Sequence, residues 1–267
     1  MKLPVLPLFI SCALLTACQP QQNQASTHPT EKQADVANEP KGITLIQAQT
    51  KVLNLTKPEV CEAATSTEDF AMCTKYHLQT INTNVDWLNQ YFTQRLKTDY
   101  AEAFDASPAV NVTLDPEIPS TNYTTASVRY IGQHDYLAGF EYFTDHFPAG
   151  AAHGTHFSEY IVFDLKTKQR LSLNDILLPA SKEQLKAELY AYNSQWLEEH
   201  HIAEHELDIS DNFYYGANGI VFVYPLYELA SYAEGLTELE LPYWAAQELI
   251  KAEYLPQLPT SSEEIYQ

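Results

Sequence analysis

The stretch Pro148–Leu165, "PAGAAHGTHFSEYIVFDL", decides how the chain is read. It carries His153, His156 and, three residues on, Glu159, a spacing that suggests a metal site or a general base. Its C-terminal half, with Ile161, Val162 and Phe163, favours a strand, and side chains of a strand alternate between faces. Thr155, Phe157, Ile161, Phe163 and Leu165 then share one face, and His156, Tyr160 and Val162 the other. His153 and His156 have opposite parity, so one metal could take both only if a bulge at Gly154 reset the register. Glu159 has the parity of His153 but lies roughly 20 Å along the strand. The stretch therefore reads as a strand entered through a tight loop, Gly150–Gly154, with His153 hydrogen-bonded in a structural role.

Strands on both sides of this one set the fold class. Tyr123–Gln133 and Tyr136–Phe147 read as a hairpin turning at His134-Asp135. "NFYYGANGIVFVYPLYE" reads as two strands around Asn218-Gly219, a strong hairpin signal, and "TELELPY" as one more. "ITLIQAQTKVLNLT" and "TKYHLQTI" are earlier strands. Asn82-Thr83-Asn84 offers N-caps for a helix carrying Val85, Leu88, Tyr91, Phe92 and Leu96 at three- and four-residue spacing. Ser181-Lys-Glu-Gln184 has the form of a capping box before a second helix with Leu185, Leu189, Tyr192, Trp196 and Leu197. "YWAAQELIKAEYL" reads as a closing helix. The class is α+β, a mostly antiparallel sheet with packed helices, in two small lobes: residues 42–147 and 148–258, with a tail at 259–267.

The N-terminal residues give a location. Leu3–Leu15 is an apolar run too short to span a bilayer, which takes about 20 residues, and it follows a basic Lys2. It reads as a signal peptide, residues 1–17. Leu15-Thr16-Ala17-Cys18 closely resembles the lipobox of bacterial lipoproteins, which implies lipidation at Cys18. Gln19 rather than Asp follows, and the resemblance then implies the outer membrane if the host has two. Residues 18–41 hold no aromatic side chain and one branched aliphatic, Val36, so they read as a flexible tether with an r.m.s. reach of about 25–30 Å. Acyl chains would be the only membrane attachment.

Charge and cysteine usage agree with export. The chain has 15 Lys+Arg and 35 Asp+Glu. Without Lys2 the balance is 14 against 35, a net charge of −21. Such a chain repels nucleic acid and attracts basic partners at low salt. Cys61 and Cys73 are the pair left after the signal and the lipidated cysteine are set aside, and in an oxidising envelope they suggest a disulfide. Closing a loop of that size is worth about 3 kcal/mol. His201 and His205 in "EEHHIAEHELD" would share a helical face, but a zinc site needs a third protein ligand, and a solvated helix end is the plainer reading. No nucleophile elbow and no phosphate-binding glycine loop is present. No cofactor and no metal are expected.

Two blocks carry a family resemblance. Residues 150–177, "GAAHGTHFSEYIVFDLKTKQRLSLNDIL", resemble an Ala-His-Gly motif followed by an Asp-Leu strand, a Thr-Gly turn and a Leu-x-Asp-Leu helix entry. Residues 219–249, "GIVFVYPLYELASYAEGLTELELPYWAAQEL", resemble a Phe-x-x-Tyr-Glu-Ile-Ala-Pro-Tyr-Ala-x-Gly signature. Both belong to the C-terminal domain of RsiV-type envelope proteins, a domain of unknown function shared by lysozyme-sensing anti-sigma factors and the non-catalytic part of some peptidoglycan deacetylases. Residues 42–147 resemble, more weakly, the smaller α+β domain that often precedes it. Lys168 stands at the turn glycine, and Ser231 replaces the signature proline. The chain shows neither the membrane span of the anti-sigma proteins nor the catalytic domain of the deacetylases, so sigma inhibition and deacetylation do not transfer.

The resemblance implies a non-catalytic protein, not an enzyme, that binds a basic envelope protein such as lysozyme, or cell-wall glycan. Tyr224, Tyr227 and Tyr232 are the candidate binding residues, since tyrosine is over-used at recognition surfaces. The alternatives are a structural or assembly lipoprotein binding another envelope protein, and a metal-dependent hydrolase using the histidines. The expected place is the bacterial cell envelope, lipid-anchored, at the periplasmic face of an outer membrane or the cell surface.

Overall fold

The computed structural model describes residues 44–66 and 69–256. The signal peptide, Cys18, the tether and the 259–267 tail expected from the sequence lie outside these residues. Described elements are β1 (Ala48–Val52), β2 (Glu59–Glu62), β3 (Met72–Thr83), α1 (Asp86–Asp99), α2 (Ala101–Phe104), β4 (Thr121–His134), β5 (Leu137–Phe147), β6 (Thr155–Asp164) and β7 (Gln169–Leu171). They continue with α3 (Leu173–Ile176), α4 (Lys182–Tyr192), α5 (Ser194–Glu199), β8 (Phe213–Tyr215), β9 (Gly219–Tyr224), β10 (Thr237–Pro242) and α6 (Tyr243–Ala246).

The class is α+β and mostly antiparallel, as the sequence predicts, and the strands form two sheets. Seven strands form one sheet in the order β1-β3-β4-β5-β6-β7, with β2 also on β3. The second sheet is β10-β9-β8. Every pairing is antiparallel except β3 with β4. That pair is parallel because α1 and α2 lie between its strands, and a parallel pair needs a crossover of this kind. The β5–β6 pairing carries the large sheet through residues 147 and 148, so its strands come from both sides of the expected lobe boundary.

Alternation along β5 and β6 builds a separate core on each face. Ala138, Phe140, Tyr142, Ile161 and Phe163 pack with Leu88, Phe92 and Leu96 of α1. Those three helical side chains have no exposed surface, and each contributes about 1.5–3 kcal/mol by burial. Leu137 and Val162 point the other way, into a core shared with α3, α4, α5 and the second sheet. The parity read from the opening stretch therefore holds from Thr155 onward. Cys61 and Cys73 face each other across β2 and β3 and are bonded.

Several local expectations are corrected. Val85, not an asparagine or threonine, occupies the N-cap of α1, with no side-chain cap. Thr83 is instead drawn into β3 and buried, and Asn84 accepts from the Gln47 amide at 2.9 Å. Ser181 does not cap α4; its hydroxyl donates to the carbonyls of Leu178 and Leu249. The capping box sits earlier, at α3, where Ser172 and Asp175 bond each other's backbone amides. The closing helix reduces to one turn, because Leu249 O and the Lys251 amide pair with Leu178 and Ile176 instead of continuing it. Lys168 takes φ +59°, a left-handed geometry that glycine adopts most easily.

Candidate functional site

The two sequence blocks meet. His153 lies in the loop before β6, and Tyr232 opens a single 3-10 turn, Tyr232–Glu234, between β9 and β10. Their rings stack with centroids 4.2 Å apart. The Tyr232 hydroxyl donates to the Gly154 carbonyl at 2.9 Å, and His153 Nδ1 lies 3.0 Å from the same oxygen. His156, on the sheet, comes within 6.2 Å of the Tyr232 ring centroid and 6.1 Å of Phe143. Strand parity thus does not keep the two histidines apart, because His153 precedes the strand. What joins them is an aromatic contact. Gly154 is required here: a Cβ would sit 2.8 Å from the His146 carbonyl.

The three candidate tyrosines have different fates. Tyr224 is wholly buried, with its hydroxyl donating to Asp208 O at 2.9 Å, so it is a core residue and cannot touch a partner. Burial pushes its phenol pKa above the usual range. Tyr232 is half-buried on His153. Tyr227 is 62% exposed, and its ring centroid lies 5.8 Å from that of Tyr232. Its φ is +69°, inside a turn closed by the Glu228 amide on Pro225 O. A left-handed residue other than Gly or Asn costs about 1–2 kcal/mol, and such strain clusters where a side chain must be aimed.

Acids surround this loop. Burial, then the nearby Asp208, holds the Glu228 carboxyl above its ordinary pKa. Glu234 accepts from the Ser231 hydroxyl at 2.8 Å and meets His200 Nε2 at 2.6 Å. Those bonds lower the pKa of Glu234 and raise that of His200. His200 is fixed in turn by its Nδ1 donating to Trp196 O at 2.8 Å and by stacking on Trp196. The end of α5 therefore holds the signature loop in place.

The other sequence candidates separate. His201 takes φ +59° beyond the end of α5, and His205 sits in a distinct 3-10 turn, so they do not share a helical face. Among the described residues no group of three or more His, Cys, Asp and Glu side chains could hold a metal ion. Glu159 bridges two guanidiniums, Arg95 of α1 and Arg170 of β7. Sequence reasoning missed these pairings and the His200–Glu234 pair, because each joins residues far apart in the chain. No described helix is long and apolar enough to cross a membrane.

With this geometry fixed, the chain can be set beside known proteins. Residues 164–244 match the family described as "Protein of unknown function (DUF3298)". The matched region begins in β6 and contains the whole signature loop. Two solved DUF3298 structures share the fold. One, from Pseudomonas aeruginosa PAO1, is 17% identical, with a TM-score of 0.56 over 81% of this chain and 99% of its own. The other, from Bacteroides fragilis NCTC 9343, is 17% identical, with a TM-score of 0.53 over 79% of this chain and 96% of its own. At that identity they establish the architecture alone. No curated protein matches the chain.

Proposed function

We propose that this chain is a non-catalytic, lipid-anchored protein of the bacterial envelope, related to the RsiV-type domains, that docks a cationic cell-wall hydrolase of the lysozyme type. The observation that carries the reading is Tyr227, an exposed aromatic held at positive φ on a loop braced by the Tyr232–His153 stack. Glu228 and Glu234 flank it in sequence, in a chain of net charge −20. An aromatic anchor within an acidic rim is the composition expected for a basic protein partner. The long-range field would speed encounter, and the anchor would set the dissociation rate. The lipid at Cys18 and the polar segment behind it would keep the loop close to the wall.

The test is calorimetric titration of the full chain with lysozyme at low and at physiological salt. A complex that weakens with salt, and at least tenfold on Tyr227→Ala, supports the reading. No complex at low salt, where attraction between opposite charges is strongest, sinks it.

A further inference from the structure

Both sheets end in edge strands. In the large sheet the edges are β1 and β2 on one side and β7 on the other, and in the small sheet they are β10 and β8. β7 and β8 are three residues long, and Asn212, just before β8, bonds the Tyr160 amide and the Ser158 carbonyl of β6. β2 carries Glu59 and Glu62, and β10 carries Glu238 and Glu240. β1 is different. It is five residues long, AQTKV, and Gln49, Thr50, Lys51 and Val52 are exposed. Residues 42–58 hold no Asp or Glu and two lysines, Lys51 and Lys57, in a chain of net charge −20. Leu45 and Val52, 74% and 58% exposed, leave apolar surface at and beyond its two ends.

The hydrogen-bond phase of β1 decides what this edge can take. The Leu53 amide donates to the Leu78 carbonyl at 3.0 Å, and the Asn84 amide to the Gln47 carbonyl at 3.3 Å. The odd-numbered residues of β1 therefore bond β3, and Ala48, Thr50 and Val52 turn their N–H and C=O groups outward. Among the described residues nothing pairs with those outward groups. A row of free groups of this kind is a template for another strand. This row is symmetric about Thr50. A second β1, laid antiparallel, places Thr50 opposite the partner's Thr50 and Ala48 opposite the partner's Val52, and each such pair exchanges both N–H···O bonds. Gln49 then stands opposite the partner's Lys51, so no like charges meet directly.

We propose that β1 is the contact through which two copies of this chain pair, edge to edge about a two-fold axis at Thr50, joining their seven-stranded sheets. A two-fold contact must be self-complementary, and the phase of β1 meets that condition. The contact must also bring together two strongly acidic molecules, which repel. Among the described edges longer than three residues, β1 alone carries no acid. A strand from an unrelated partner requires neither property. One strand from each copy makes a contact smaller than the roughly 1,600 Å² of a standard interface, so the dimer is reversible. Salt screens the repulsion between the copies and strengthens the pairing, the opposite of its effect on a complex with a cationic hydrolase. This inference does not rest on the hydrolase reading, whose anchor Tyr227 is not part of this edge.

The experiment is sedimentation equilibrium of the full chain carrying Cys18→Ser, so that no lipid drives association. The mass rises from monomer to dimer between about 10 μM and about 1 mM, and added salt moves the transition to lower concentration. Thr50→Pro removes an outward N–H and no bond to β3, a change that edge strands tolerate, and this variant stays monomeric. Thr50→Glu and Thr50→Lys alter an exposed side chain, and an unchanged melting temperature at low concentration confirms that both are folded. Each alone stays monomeric, because like charges then stand directly opposite. Mixed in equal amounts they dimerise, because position 50 faces itself across the axis. Tyr227→Ala dimerises as the parent chain does. A parent chain that is monomeric throughout, a Thr50→Pro variant that dimerises equally, or a Glu and Lys mixture that stays monomeric each overturns the assignment.

Discussion

The hydroxyl of Tyr232 donates to the carbonyl of Gly154 at 2.9 Å across 78 residues of sequence. That bond locks the signature loop onto the loop entering β6. Tyr232→Phe keeps the ring on His153 and removes the bond, which should lower stability by about 1 kcal/mol. Tyr232→Ala also removes the stack and should cost more, about 2–3 kcal/mol. Urea denaturation of the two variants measures both. Equal losses would show that the ring contact with His153 contributes nothing.

Glu159 holds α1 to the β6–β7 edge through Arg95 and Arg170. Burial raises its pKa, but its two guanidinium partners outweigh that and leave it below the ordinary carboxylate value of 4.5. A depressed carboxyl contributes stability that is present above 4.5 and lost as pH falls through its folded value. Glu159→Gln should cost about 1–2 kcal/mol at neutral pH, less than a fully buried pair because the Arg170 side chain is 45% exposed. The cost should shrink on acidification below pH 4.5. Denaturant midpoints of wild type and variant from pH 7 to 3 test this, and a cost independent of pH would refute the ionic account.

How far the sequence speaks depends on the range of the interaction. β4, β5 and β6 are legible because a period of two shows in any short window, and here it sorts Ile161 and Phe163 from Val162 correctly. Helix ends are legible only where local bonds win. Ser172 caps α3, but Ser181 answers to Leu249, 68 residues away, and its local capping pattern is overridden. The two family blocks are readable as text, yet nothing in either predicts that Tyr232 stacks on His153. Tyr224 and Tyr227 are three residues apart and look alike on paper. A strand end buries one and a left-handed turn exposes the other.

The Cys61–Cys73 disulfide joins directly opposed positions of β2 and β3. β2 is four residues long and pairs only with β3, so the crosslink carries much of its attachment. Reduction, or the Cys61→Ser, Cys73→Ser double variant, should destabilise by about 3 kcal/mol through the freed loop. Hydrogen exchange should show β2 released first and β4–β6 protected. Protection of β2 unchanged after reduction would show that backbone pairing alone holds it.

The His200–Glu234 pair makes the signature loop sensitive to pH. His200 titrates above its ordinary value of 6.5, because Glu234 and then the Trp196 carbonyl favour its charged form. Its contribution is therefore complete below pH 6.5 and lost as pH rises through the raised folded value. Glu234 is depressed, with His200 as the largest cause and Ser231 next. Its contribution is present above its ordinary 4.5 and lost as pH falls through the lower folded value. The loop should be held most tightly between about pH 4.5 and 6.5 and loosen as pH rises through the raised folded value of His200. Histidine NMR titration of His200, with tyrosine fluorescence reporting on Tyr227 and Tyr232, measures the transition. His200→Gln should abolish the loosening of the loop above pH 6.5 while leaving the seven-stranded sheet folded and the acid-side dependence of Glu234 on Ser231 in place. If the loop signal of that variant still moves above pH 6.5, the sensor is another group.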